Sequence, residues 1–383
     1  MNEEQINTFK LNLLDLPHDK VYVEIKENYK KYILRCIERQ FGLRPGLYKR
    51  LGVSQASFYK WKTKSEFPLF ILIELLKILN LDTKDIQENL IKIRSGVYPP
   101  RGKGSGNLSK YICPKFPIEM SKELARILAH IFGDGCLSIS RKKYINLQYY
   151  NQNKELLNNF RRDIISLFNA NHIYEGTNKK TSFLRFSSSI GLIFNQIVNS
   201  FNSKDSRIPD IIKKADNEYK IEFIKSFFDD EAHVKYKPPE RNIELALSNK
   251  KFLMDMKILL KSFDIDTTKI YASRQRGFRR YTVYIRNYHN LKKYYQYIGF
   301  NHKRKQDMLK RIILNPGQKH YSHGETERKI LELLKKKALT SKELSLILNR
   351  SVCTIHIVLK RMKEKGSIKH IKFKKKYKVW VSD

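Results

Sequence analysis

Leu124-Ala-Arg-Ile-Leu-Ala-His-Ile-Phe-Gly-Asp-Gly135 is the stretch whose reading decides the fold. Leu124, Ile127, Leu128 and Ile131 recur at helical spacing and predict a helix with one buried face. Ala129 and Gly133 lie four apart, so a second helix could approach that side backbone to backbone. Gly135 is expected to take the left-handed conformation that ends a helix. Asp134 then falls at a helix C-terminus, where the macrodipole is already negative. A carboxylate there is unfavourable unless a cation joins it.

A second copy lies about a hundred residues on. Phe223-Ile-Lys-Ser-Phe-Phe-Asp-Asp-Glu-Ala-His-Val234 has the same plan: apolar residues, a small residue at Ser226, then an acidic end. Alone, either stretch would pass for a core helix closed by an ordinary turn. Together they describe a duplication.

The pair resembles the two signature helices of the LAGLIDADG (DOD-type) homing endonucleases. The nonapeptide falls on Ile127–Gly135 and on Ile224–Ala232. The resemblance implies metal-binding, catalytic acids at Asp134 and Glu231, with backbone near Gly133 and Asp230 close to the metal. Asp230 or Asp229 would replace Glu231 if the register is off by one. The family's small helix-contact positions fall on Ala129, Gly133, Ser226 and Asp230. Two departures stand out: Asp230 occupies a place usually held by Ala or Gly, and Ala232 replaces the final Gly. The implied fold is α+β, an αββαββα unit occurring twice about a pseudo-two-fold axis, over roughly half the chain.

Beyond the acidic helices the two halves keep step. The first has, in order, a strand at Tyr144–Tyr149, a helix at Lys154–Phe168, a strand at Ser182–Phe186 and helical sequence at Ile190–Phe201. In the second the counterparts are Ile243–Leu247, Lys251–Phe263, Tyr281–Arg286 and Asn290–Ile298. Strand residues facing away from the core would read base edges in the major groove. Asn146, Gln148 and Arg185 are candidates in the first half. Glu244 and Arg279, with Lys251 nearby, are candidates in the second. The family often places a basic residue near each metal, which nominates Lys180 and Arg280, although plain phosphate contact would explain both. His130 and His233 are expected to pack or face solvent rather than bind metal.

The 383 residues carry 76 Lys and Arg against 38 Asp and Glu, a formal net charge of +38. These charges are interleaved with 22 Tyr and 21 Phe, so the chain folds and presents a large positive field. A polyanion is the natural partner, and double-stranded DNA the leading one. No apolar run approaches the length of a membrane helix and no signal peptide opens the chain, so no membrane role and a cytoplasmic location are expected. Cys36, Cys113, Cys136 and Cys353 fit neither zinc spacing nor a disulfide framework.

Residues 1–95 read as an all-α domain. Val21–Phe41 predicts one amphipathic helix, and Gly42–Lys62 looks like a repressor-type helix-turn-helix. Leu51-Gly52-Val53-Ser54 would be its turn, with Ser54 capping the next helix. That helix would offer Gln55, Ser57, Tyr59, Lys60 and Lys62 to DNA and bury Phe58 and Trp61. Leu69–Leu79 is the apolar helix behind it. Residues 96–117 form a linker rich in Pro and Gly. The endonuclease domain would span 118–316, with halves at about 118–215 and 216–316. A second linker, 317–324, leads to 325–383, which looks like a winged helix. Its third helix carries Thr354, His356, Lys360 and Arg361, and its basic wing includes Lys374, Lys375 and Lys376.

The expected function is a freestanding, monomeric, site-specific DNA endonuclease using Mg²⁺ or Mn²⁺, with DNA-binding domains on both sides. An intein would need a Cys or Ser start and a His-Asn finish, so embedded splicing is not expected from these chain ends. The alternatives are a catalytically silent regulator like the WhiA type, or an intron RNA maturase.

Overall fold

The computed structural model describes residues 9–42, 45–64, 66–96, 111–139, 145–178, 181–198, 205–236, 240–275, 277–314, 324–374 and 377–382. It divides into two compact units. One comprises Met1–Glu231 with Ser248–Leu259, the other Ala232–Leu247 with Leu260–Asp383.

The first unit opens with β1 (Lys10–Leu11), β2 (Val21–Ile25), α1 (Glu27–Phe41), α2 (Pro45–Arg50), α3 (Gln55–Thr63), β3 (Glu66–Pro68), α4 (Leu69–Ile78), α5 (Asp85–Glu88) and β4 (Leu90–Ser95). The helix expected over Val21–Phe41 is therefore divided. Val21-Tyr-Val-Glu-Ile25 is rich in β-branched residues and becomes the central strand of a β3-β2-β4 sheet, and the helix starts only at Glu27. The domain expected to be all-α thus carries a three-stranded sheet. Gly52 does take a positive φ of 64°, and Ser54 Oγ accepts from Ser57 N at 3.2 Å, so the turn and cap between α2 and α3 form as read. Phe58, Trp61 and seven residues of α4 are buried beneath.

The N-terminal domain is bonded to the segments beyond it. Ile93 and Ile112 exchange backbone hydrogen bonds (2.9 and 3.0 Å), and Cys113 N donates to Phe168 O (2.9 Å). Strand β5 (Ile118–Glu119) pairs with β1. Ser95 N donates to Ser189 Oγ at 2.8 Å. The last part of the expected 96–117 linker is therefore pinned; its Pro/Gly-rich section at 98–107 lies outside the described residues.

The first repeat runs α6 (Lys122–Phe132), β6 (Gly135–Ile139), β7 (Ile145–Asn151), α7 (Lys154–Phe168), β8 (Tyr174–Asn178), β9 (Thr181–Arg185) and α8 (Ser188–Ile197). After the short α9 (Asp210–Lys213), the second runs α10 (Asn217–Glu231), β10 (Ala232–Lys235), β11 (Asn242–Leu247), α11 (Lys250–Lys261), β12 (Tyr271–Gln275), β13 (Phe278–Ile285) and α12 (Tyr288–Tyr297). The sheets have strand orders β6-β7-β9-β8 and β10-β11-β13-β12, the same antiparallel plan twice. This is the duplicated αββαββα architecture of an α+β fold. Ile145, Leu147 and Tyr149 alternate inward from β7, and Ile243 and Leu245 from β11.

The second unit continues with α13 (Lys303–Leu314) and a C-terminal domain: α14 (Glu325–Lys336), β14 (Leu339–Thr340), α15 (Ser341–Ile347), α16 (Val352–Glu364), β15 (Ile368–Lys374) and β16 (Tyr377–Ser382). Thr340 and Glu343 form a capping box, with Glu343 N to Thr340 Oγ1 at 3.2 Å and Thr340 N to Glu343 Oε2 at 2.7 Å. Ser351 Oγ caps α16 by accepting from Thr354 N at 3.0 Å. The hairpin β15–β16 closes a core that includes Ile330, Leu344, Ile355, Leu359 and Trp380. Most of the 317–324 linker lies outside the described residues.

Candidate active site

Helices α6 and α10 pack against each other, as their small residues require. Ala129 and Ser226 are fully buried. A Cβ placed on Gly133 would lie 2.8–2.9 Å from Asp230 Oδ2 and Cβ, so only glycine lets the helices approach this closely. Gly133 also ends α6, its N–H bonding to Ala129 O at 2.9 Å.

Gly135 does not play the part expected of it. It is the first residue of β6 and lacks a positive φ. It is glycine for want of space: a Cβ would meet the Ile131 Cα at 2.4 Å and its carbonyl oxygen at 2.6 Å. In the second repeat α10 passes straight into β10 at Ala232, and no glycine is needed.

Asp134 comes just after the end of α6 and is exposed, while Glu231 is the last residue of α10 and is half-buried. One oxygen of Asp134, Oδ2, accepts from Asn151 Nδ2 at 3.1 Å. The same nitrogen donates to Asp230 Oδ1 at 3.1 Å. The carboxylates of Asp134 and Asp230 therefore lie within twice that distance of each other, and Asp230 adjoins Glu231 in the chain. The acidic ends of the two helices converge.

Asp230 itself is closed off. None of its side-chain surface is exposed, and its oxygens are taken by His130 Nδ1 (2.8 Å), Tyr149 OH (2.8 Å) and Asn151. As the alternative metal ligand it would have to break these bonds. Burial pulls the pKa of His130 down, but the charge and hydrogen bond of Asp230 outweigh it and leave it raised. Burial and the same carboxylate push the Tyr149 phenol up. A second polar anchor lies further along the helix pair. Arg126 of α6 donates twice to Asp163 of α7 (both 2.8 Å) and reaches Glu222 of α10 at 3.2 Å.

Residues 218–299, from α10 through α12, match the family model of the LAGLIDADG-like domain. The chain carries a LAGLIDADG-like domain. Two curated relatives are described as probable translation initiation factor IF-2. That of Methanocaldococcus jannaschii is 28% identical over 244 residues, 60% of this chain and 20% of the relative. That of Thermococcus kodakarensis is 32% identical over 139 residues, 36% of this chain and 11% of the relative. The chain thus spans a fifth or less of the length of these relatives. Among solved structures, the homing endonuclease I-DmoI in complex with DNA and Mn aligns with a TM-score of 0.36 at 17% identity, over 46% of this chain and 96% of that one. Full-length DUF199/WhiA from Thermatoga maritima aligns with a TM-score of 0.37 at 16% identity, over 64% of this chain and 92% of that one.

In the first repeat, Asn146 and Gln148 lie on the face of β7 opposite the core, and Arg185 lies beside Gln148 on β9. With its amide turned to satisfy both ends, Gln148 accepts from Arg185 Nε at 2.7 Å and Nη2 at 3.0 Å. Tyr174 and Phe183 flank the Arg185 guanidinium at 5.7 Å. In the second repeat, Arg280 shares the face of Glu244, whereas Arg279 has the parity of the inward-facing Val283 and pairs with Arg274 in the β12–β13 hairpin. Glu244 is bound to Lys235 at 2.9 Å. Lys180 lies outside the described residues.

On the flanking domains, Gln55, Tyr59 and Lys60 are exposed on α3 and Ser57 is half-buried in its cap, while Lys62 turns back to pair with Glu38. Lys360 is 81% exposed on α16, Arg361 reaches Glu327 at 3.5 Å, and Thr354 bonds to the capping Ser351. The side chain of Lys374, and Lys375 and Lys376 altogether, fall outside the described residues. Asn151, Tyr149 and the His130–Asp230 pairing were not singled out from the sequence. Their signal was a complementary change at facing positions: an acid where the other repeat has Gly133, and a histidine where it has Phe227.

Proposed function

We propose that this protein is a site-specific, double-strand DNA endonuclease of the homing type, cutting phosphodiesters with Mg²⁺ or Mn²⁺ held by Asp134 and Glu231. The observation that carries the reading is the meeting of two acidic helix ends, with the Asp134 carboxylate exposed beside it. Among the described residues, no group of three or more His, Cys, Asp or Glu forms a metal cage. The donor set present suits Mg²⁺, which takes one or two carboxylates and fills its sphere with water and substrate phosphate. When bound, such an ion supplies a water nucleophile and stabilises charge on the phosphate. Asp134 and Glu231 would hold such ions, one acid serving each strand.

The formal charge of +38 supplies the attraction for DNA. The outward faces of β7, β9, β11 and β13 read the groove through Asn146, Gln148, Arg185 and Arg280. The α2–α3 helix-turn-helix and a C-terminal winged helix led by α16 lengthen the site. Lys180, Arg279, Lys374, Lys375 and Lys376 contact the backbone. The protein acts as a monomer, since both acids come from one chain.

The test is to select bound duplexes from a genomic library and incubate the winner with Mg²⁺. Cutting of both strands supports the reading. Tight, sequence-specific binding without cutting supports a regulator instead, a second reading favoured by the basic DNA-binding domains on both flanks.

A further inference from the structure

The ladders of the two repeats match residue to residue in register. Gly135 faces Tyr149 in the first, and Ala232 faces Leu245 in the second. Tyr149 therefore corresponds to Leu245, and Asn151 to Leu247. Within the nonapeptides His130 corresponds to Phe227, and Gly133 to Asp230. Everything polar in this set serves one side: His130, Tyr149, Asn151 and Asp230 join into one hydrogen-bonded group next to Asp134. Their counterparts Phe227, Leu245, Leu247 and Gly133 have no side chain able to build it.

The group is also costly. Two apolar side chains of similar volume would hold the helices together at least as well as a buried ion pair. What the pair does is fix Asn151. The amide oxygen of Asn151 accepts from Asn153 N at 2.9 Å, so its Nδ2 must point inward. There it meets Asp230 Oδ1, Tyr149 OH and Asp134 Oδ2, each at 3.1 Å. Asp230 is immobile because His130 and Tyr149 hold its two oxygens.

We propose that His130, Tyr149 and Asp230 form a buried anchor that positions Asn151, and that Asn151 in turn presets the Asp134 carboxylate for a divalent cation. Asn151 is a positioning residue. In the second repeat the residue that corresponds to Asn151 is Leu247, which has no amide to donate. This rests on the nuclease reading only for its consequence, that the two DNA strands are cut at different rates.

The test uses the full chain and Mn²⁺ alone, titrated by electron paramagnetic resonance, in wild type, in Asn151→Leu, and in the pair His130→Phe with Asp230→Ala. Asn151 is half-buried, and thermal melts of each variant confirm that it is folded at the temperature of the titration. Both variants are expected to weaken Mn²⁺ binding by about tenfold, as loss of a residue that orients a ligand does. On the selected duplex, each slows one strand far more than the other. Unchanged Mn²⁺ affinity in Asn151→Leu, or a wild type that binds no Mn²⁺, overturns the proposal. If wild type cuts no DNA but Asn151→Leu still weakens Mn²⁺ binding, the anchor stands and the nuclease reading fails.

Discussion

His130 Nδ1 and Asp230 Oδ2 meet at 2.8 Å between α6 and α10, with 2% and 0% of their side chains exposed. Each neutralises the other where no water reaches. His130→Phe alone should destabilise the fold by about 3–5 kcal/mol, because it strands a buried carboxylate. Adding Asp230→Ala should recover most of that loss. Thermal melts of the two single variants and the double give the coupling, and additive losses would mean the pair is not a unit.

Arg126 ties three helices together through Asp163 and Glu222. Arg126→Met keeps the aliphatic stem and removes the charge, taking from the buried Asp163 its guanidinium partner, while Glu222 keeps Lys225 at 2.9 Å. A loss of about 3 kcal/mol is expected in denaturant titration. A loss below about 1 kcal/mol, the range of exposed pairs, would show that solvent already serves Asp163.

Gly135 abuts the Ile131 backbone, while the matching place at the start of β10 is held by Ala232. Gly135→Ala should therefore cost about 1–3 kcal/mol by overpacking. Ala232→Gly should be much milder. Equal effects would contradict this account of the two motif ends.

Asp255 is buried and accepts from Arg207 (2.9 and 2.5 Å), and Lys213 lies 3.2 Å away. Burial alone would raise its pKa, but the bonds from Arg207 and Lys213 bring it below the ordinary value of 3.8. The folded chain thus holds this proton less tightly than the unfolded chain. Its stabilisation is full above the ordinary carboxylate pKa and is lost as pH falls through the folded one. Wild type should lose more melting temperature than Asp255→Asn as pH falls below about 4. Parallel curves would refute the assignment.

Much of this was legible in the sequence because the repeat was doubled. Ala129 and Gly133 read as a helix contact from their spacing, Ser226 joins them through the family resemblance, and the periodicity predicts α7 from Lys154 to Phe168, as observed. Val21–Ile25 misled because its apolar residues satisfy a helix and a strand alike, and only pairing with β3 and β4 decides. Gly135 misled because glycine at a helix end serves either a left-handed turn or a close approach. Asn151 was hidden because its role depends on Asp134 and Asp230, brought to it from other elements by the fold.

The central claim is that Asp134 and Glu231 together hold the ions that cut DNA. The direct measurement tracks both strands of the selected duplex, labelled at their ends, with Mg²⁺ and wild type, Asp134→Asn or Glu231→Gln. The account predicts double-strand cutting by wild type and its loss in both variants, with DNA affinity largely kept. Normal cutting by either variant would contradict it.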